Sequence, residues 1–165
     1  MFRLLESLSS QEAAQLDQLR QWFQRFDAVC VAYSGGVDST LVATLAFEQK
    51  GNAAFAITGV SPALAPHLLE EARAQATWIG IRHQECRTRE LDDPQYSANP
   101  KDRCFACKRD LHSHLKPIAA AAGDALVVDG VNLDDLGDHR PGIAAAREAG
   151  VRSPLAELKI DKATV

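Results

Sequence analysis

The spacing of apolar and polar positions divides the chain into alternating helix-like and strand-like segments. From about Ser9 to Phe26, Leu16, Leu19, Phe23 and Phe26 recur at steps of three and four, which predicts an amphipathic helix. Asp27 to Tyr33 is a short β-branched apolar run, the pattern of a buried strand. A second helical pattern runs from about Asp38 to Gln49 through Leu41, Val42, Leu45 and Phe47, and Gly51 ends it. Ala53 to Thr58 reads as another buried strand. Pro66 opens a helix that reaches about Ile79 and closes at Gly80. Ile81 to Cys86 is a weaker strand, followed by a polar loop from Arg87 to Asp102 with two prolines. Arg103 to about Ala122 is mostly helical, with Pro117 expected to kink or interrupt it. Ala125 to Asp129 is the cleanest strand of the second half and ends at Gly130. Alternation of this kind predicts a parallel α/β sheet with right-handed crossovers, whose ligands bind beyond the carboxyl ends of the strands.

Composition narrows the class. The 165 residues are enough for about one domain, and 46% of them are hydrophobic, enough for a sizeable core. No stretch approaches the ~20 apolar residues of a membrane span, and the opening MFRLLESLSSQEAAQL carries acids and glutamines where a signal peptide is basic and apolar. Eighteen basic against 22 acidic residues leave a net charge of −4, the wrong sign for a protein that lives on nucleic-acid phosphates. Cys30, Cys86, Cys104 and Cys107 are spaced too unevenly for a disulfide framework and suit a reducing compartment. The expectation is a soluble, cytoplasmic protein with no membrane or nucleic-acid partner. The final Asp161 to Val165 has the form of a helix cap plus one turn, so the chain is expected to be the front part of something longer.

The chemistry concentrates directly after the first strand, in Ser34-Gly35-Gly36-Val37-Asp38-Ser39-Thr40. Two glycines permit a tight turn and close backbone approach, and the N–H groups at the following helix start form an anion cradle at the positive end of its dipole. Ser34, Ser39 and Thr40 add hydroxyls. The GxxxxGK[ST] signature is absent, and no lysine sits in the turn. A carboxylate beside phosphates is repulsive unless a divalent cation joins them, so Asp38 argues for Mg²⁺. The competing interpretation is a plain glycine turn with a polar helix cap, which the order strand, SGGVDS, helix makes much less attractive.

SGGVDS after a hydrophobic strand resembles the loop of the N-type ATP pyrophosphatases, the PP-loop superfamily of NAD synthetases, GMP synthetases and tRNA thiolation enzymes. Further stretches narrow the resemblance: Ala56 to Pro62 (AITGVSP), Asn99 to Lys108 (NPKDRCFACK), Asp129 to Gly142 (DGVNLDDLGDHRPG) and Val151 to Glu157 (VRSPLAE). Together they are similar to the ATP-dependent sacrificial sulfur transferases that help build the nickel-pincer nucleotide cofactor of lactate racemase. The resemblance runs from about Leu16 to the last residue. It implies an α/β fold, a three-layer doubly wound parallel sheet of the adenine nucleotide alpha hydrolase-like kind, with ATP and Mg²⁺ as cofactors. It also implies adenylylation of a pyridinium biscarboxylic acid mononucleotide with release of pyrophosphate, then attack by sulfur to give a thiocarboxylate. In the family a second domain helps bind substrate and carries the sulfur-donating cysteine. Residues 1–165 would be the ATP pyrophosphatase domain, with that second domain following residue 165, and assemblies of several copies are implied.

The remaining candidates follow from position. Thr58 and Gly130, at the ends of their strands, are placed where adenine would touch backbone in this architecture. Asp134, Asp135 and Asp138, with His139 and Arg140, follow the strand ending at Asp129. They could hold a cation or orient substrate, Arg140 being the first choice for phosphate, or they could be a solvated loop capping a helix near Pro141. Arg103 and Lys108 flank the Cys104/Cys107 pair and are candidate phosphate contacts. The pair itself could bind metal, exchange disulfides or simply line a site, with His112 and His114 downstream. Cys30 and Cys86 read as small buried hydrophobes, Trp22 and Trp78 as core packing, and the first helix as a packing or dimer surface. Two other classes stay open: an ammonia-using amide synthetase of the NAD synthetase kind, and a module that senses adenine nucleotide without turnover. A tRNA thiolase fits the acidic balance less well.

Overall fold

The computed structural model of the protein describes residues 6–89, 103–137, 147 and 150–165, with the side chains of 103–109 outside that description. Helix α1 (Ser10–Gln24) begins at a reciprocal cap: the Glu12 amide donates to the Ser9 hydroxyl, and the Ser9 amide donates to the Glu12 carboxylate. Then follow β1 (Val29–Ala32), α2 (Val37–Lys50), β2 (Ala54–Val60), α3 (Pro66–Ile79) and β3 (Arg82–Arg87). The second half contains α4 (Arg103–Ala121), β4 (Leu126–Val128) and two short helices, α5 (Leu133–Gly137) and α6 (Pro154–Glu157). The four strands form one parallel sheet in the order β3-β2-β1-β4.

Side-chain alternation along β1 and β2 creates the three layers. Val29, Val31, Ala54 and Ala56 face one core with Leu19, Trp22 and Phe23 of α1, Val42 and Leu45 of α2, and Ala72 and Ile79 of α3. Cys30, Ala32, Phe55 and Ile57 face the other core, closed by Leu115 and Ala119 of α4. The fold is therefore α/β and doubly wound. The chain moves outward through β1, β2 and β3 with helices on one face, then returns by α4 on the opposite face to place β4 beside β1. The strand order reverses between β1 and β4, the crevice where such sheets take ligands.

Three local readings change. The second strand runs to Val60, two residues past Thr58, because β3 continues to pair with it as far as Val60↔Arg87. Pro117 does not interrupt α4, which is helical to Ala121. A short helix that was not expected starts at Leu133, and the helix expected near Pro141 lies outside the described residues. Trp22 is buried in the core as expected, but Trp78 is 69% exposed. Helix α3 buries a stripe of Ala72, Ala76 and Ile79, and position 78 points away from it. Strand β3 is a charged edge: Arg73 of α3 pairs with Glu85, and the Arg82 guanidinium lies over the Phe55 ring. Like other natural edges, it is poorly suited to pairing with a further strand. Among the described residues no helix is long and apolar enough to cross a membrane.

Candidate functional site

The loop after β1 turns at Gly35 and enters α2 at Gly36, the N-cap, which contributes no side-chain cap to the helix. Gly35 has φ +79°, and a Cβ there would lie 3.0 Å from the Ala72 backbone of α3, so geometry and space both demand glycine. The loop hydroxyls hold the turn together. The Gly36 amide donates to Ser34 Oγ at 3.2 Å, while Ser39 Oγ donates to the Gly36 carbonyl at 3.2 Å and lies 3.1 Å from Ser34 Oγ. Ser39 is buried, and Thr40 donates its hydroxyl to Gln75 Oε1 of α3 at 2.8 Å. The hydroxyls expected to point at a ligand are engaged in shaping the loop. Beside them lies the start of α2, where a helix leaves its first N–H groups without intrahelical partners.

The other wall comes from β4. Gly130 presses against the start of α2: a Cβ there would sit 2.7 Å from the Ser39 amide nitrogen. Buried Asp129 accepts from the Val131 amide at 3.1 Å and from the Ser153 hydroxyl at 2.7 Å, tying this turn to the segment that follows. That segment lies along β4, with the Arg152 amide donating to Val127 O and the Asp129 amide to Arg152 O, each at 3.0 Å. Buried Asn132 caps α5 in exchange with Asp135: the Asn132 amide donates to Asp135 Oδ2 at 3.0 Å, and the Asp135 amide to Asn132 Oδ1 at 3.2 Å.

Asp38 lies between these walls. Its Oδ1 accepts from Asn132 Nδ2 at 3.3 Å, and its Oδ2 accepts from Lys162 Nζ at 2.7 Å. Sequence reasoning missed both partners. Asn132 carries no local signal beyond a helix cap, and Lys162 stands 124 residues from Asp38. Asp161 does cap a turn, accepting from the Thr164 amide at 2.9 Å, and this turn fixes the backbone that carries Lys162.

The other candidates divide clearly. Thr58 is buried at the switch side of β2, but its hydroxyl donates to Tyr33 O and lies 2.8 Å from His83 Nε2. Its one proton goes to the carbonyl, so His83 is the donor in the second bond. Burial lowers the pKa of His83 below the usual imidazole value, favouring the neutral ring. Any contact of Thr58 with a base would run through its main chain. Asp135 and Asp134 are engaged locally, Asp134 accepting from the Lys162 amide at 3.0 Å. Arg103 and Lys108 belong to the first turns of α4, with side chains outside the described ones, and Asp138 and Arg140 lie outside the described residues. So do the thiols of Cys104 and Cys107. Cys30 is fully buried and burial pushes its thiol up to about 12, which removes it from thiolate chemistry, while Cys86 is half-buried and raised for the same reason.

No protein-family model matches the chain. A pyridinium-3,5-bisthiocarboxylic acid mononucleotide synthase of Lactiplantibacillus plantarum is 36% identical over 138 residues, 83% of this chain and 50% of that protein. Over that stretch the chain is homologous to the synthase. An uncharacterized protein of Synechocystis sp. is 56% identical over 152 residues, 92% of this chain and 57% of the relative. The chain spans about half the length of the curated relatives it matches. Two solved structures share its fold. NH3-dependent NAD synthetase from Campylobacter jejuni superposes with a TM-score of 0.70 at 20% identity, covering 90% of this chain and 68% of its own. NMN synthetase from Francisella tularensis gives 0.72 at 17%, covering 96% and 68%.

Proposed function

We propose that this domain binds ATP at the loop after β1 and activates a carboxylate by adenylylation. In the complete protein, sulfur transfer would then convert a pyridinium biscarboxylic acid mononucleotide to a thiocarboxylate. The observation that carries the reading is the N-terminus of α2, open to anions, with Asp38 beside it at the β1/β4 switch point. The homologous synthase supplies the acceptor class. The carboxylate oxygen attacks the α-phosphorus, the bond from that phosphorus to the bridging oxygen breaks, and pyrophosphate leaves with the electron pair. First-turn N–H groups of α2 and the glycine turn neutralise the charge building on the leaving pyrophosphate. Sulfur attack on the acyl adenylate then releases AMP.

Asp38 fits a magnesium ion. It is a half-buried carboxylate already facing a cation, the Lys162 ammonium, and Asn132 holds it in place. Among the described residues no three His, Cys, Asp or Glu side chains gather as a metal cage. Asp38 would therefore share such an ion with phosphate oxygens and water, the usual arrangement for Mg²⁺ with a nucleotide. When bound, Mg²⁺ supplies charge neutralisation of the departing pyrophosphate. Residues 1–165 serve as the ATP domain of a cytoplasmic enzyme, with the sulfur-transfer part following.

An amide synthetase of the NAD synthetase kind is the second reading, favoured by the shared fold. The deciding test is isothermal titration of ATP, AMP and pyrophosphate with and without Mg²⁺, into the protein and Asp38→Ala. Metal-dependent ATP binding, weakened at least about tenfold in the variant, is the expected result. Equal binding by folded Asp38→Ala would overturn the assignment. A thiocarboxylate rather than a carboxamide product of the full-length protein separates the two readings.

A further inference from the structure

Helix α3 meets the loop after β1 at two places. The Ala72 backbone lies where a Cβ on Gly35 would come within 3.0 Å of it. One turn further along α3, the Gln75 amide oxygen accepts from two hydroxyls, Thr40 Oγ1 at 2.8 Å and Tyr33 Oη at 3.4 Å. These two residues bracket residues 34–39, which hold the glycine turn and the entry to α2. Each is anchored from its own side. The Tyr33 amide donates to Ile57 O of β2, and the Thr40 amide to the Gly36 carbonyl, both at 2.9 Å. Tyr33 is also buried, its ring packed at 82° to the His83 ring with centroids 5.7 Å apart, so its hydroxyl is aimed by its surroundings.

We propose that Gln75 is a positioning residue for this loop: its single amide oxygen ties the residue before the turn to the first turn of α2. The proposal rests on the reading of the loop as the ATP site given above. A loop whose two ends are fixed to one rigid helix loses less freedom when it closes on a ligand. The ordering cost is then met in folding rather than in binding. The bridge also decides what Thr40 does. Its hydroxyl carries one proton, and with that proton on Gln75 the side chain serves the site through α3 rather than by donating to a ligand. Buried Ala72 and Ala76 on the same helix let α3 come close enough for Gln75 to span both ends.

Amide hydrogen exchange across residues 34–40 of the nucleotide-free protein, followed by calorimetric titration of ATP with Mg²⁺, tests this. Gln75→Met keeps the length and helix propensity of the side chain and removes the acceptor, whereas Gln75→Glu keeps an acceptor oxygen. In Gln75→Met, exchange should be about fivefold faster and ATP binding about fivefold weaker, the size of one net hydrogen bond. Gln75→Glu should recover most of the exchange protection, which a purely packing role for position 75 would not produce. Thr40→Val should lose about as much ATP affinity, and Thr40→Val with Gln75→Met little more than either alone, because both remove the same bond. Unaltered exchange in folded Gln75→Met overturns the proposal, and so does faster exchange with ATP affinity unaltered. Additive losses in the double variant overturn it too, since Thr40 would then act on the ligand directly. Absence of ATP binding by the unaltered protein is a different failure, that of the ATP reading, and takes the proposal with it.

Discussion

The two walls of the crevice are built in different ways. On the β1–β2–β3 side, the SGGVDS turn closes on its own hydroxyls, and the Thr58 hydroxyl, beside His83, ties β2 to the Tyr33 carbonyl at the end of β1. On the β4 side, the turn from Asp129 to Asn132 stands only because a segment more than twenty residues later reaches back to it through Arg152, Ser153 and Lys162. The first wall carries the glycine turn and the start of α2. The second supplies the groups that hold and neutralise Asp38. On the proposed function, a site divided in this way separates shape from charge: one wall would fix where phosphates go, and the other the electrostatics around them.

The largest expected effect lies at the seam. Gly130→Ala would drive a methyl against the Ser39 backbone, where neither side is a flexible side chain that can give way. Loss of about 3 kcal/mol in chemical denaturation, together with loss of ATP binding, is expected. If the variant binds ATP normally, the two walls are not in the contact described.

Ser153→Ala comes next, because buried Asp129 loses one of its donors. A cost of about 1–2 kcal/mol is expected. If the second wall sets the charge around Asp38, this variant also weakens metal-dependent ATP binding, measured by calorimetry at a temperature where it remains folded. Thr58→Val makes the matching change in the first wall, removing the hydroxyl between Tyr33 O and His83. A similar cost of about 1–2 kcal/mol should come with ATP affinity unchanged. Weakened ATP binding by Thr58→Val, with none by Ser153→Ala, would reverse the assignment of roles.

The smallest effect is a pH dependence. Burial depresses the pKa of His83 in the folded state below the ordinary imidazole value of about 6.5, so the unfolded chain takes up a proton first as pH falls. The stability associated with a neutral His83 is full above that value and declines as pH drops below it, by less than about 1 kcal/mol for a half-buried ring with Glu85 nearby. His83→Gln keeps a donor for Thr58 and removes the titration. Its denaturation midpoint should be flatter between pH 7 and pH 5 than that of the unaltered protein.

Much of the fold was legible because its signals are local. The β-branched run before SGGVDS, the Ser9 cap with Glu12, and Pro66 and Gly80 around α3 each dictate structure over a few residues. Trp78 misled, since an aromatic residue signals burial only when it falls on the buried stripe, and α3 fills that stripe with alanines and Ile79. Asp38 was legible because a carboxylate in an anion-binding turn is chemically conspicuous wherever it occurs.

Lys162 and Asn132 were not legible, for a physical reason. A lysine and an asparagine are ordinary surface and cap residues until the return of α4 across the sheet places β4 beside β1 and the following segment folds back over it. By itself, the sequence determined that a glycine turn with a carboxylate would follow the first strand. Only the tertiary structure decided which charge faces that carboxylate, because the partner is chosen by sheet order and long-range packing, and neither leaves a mark in local sequence.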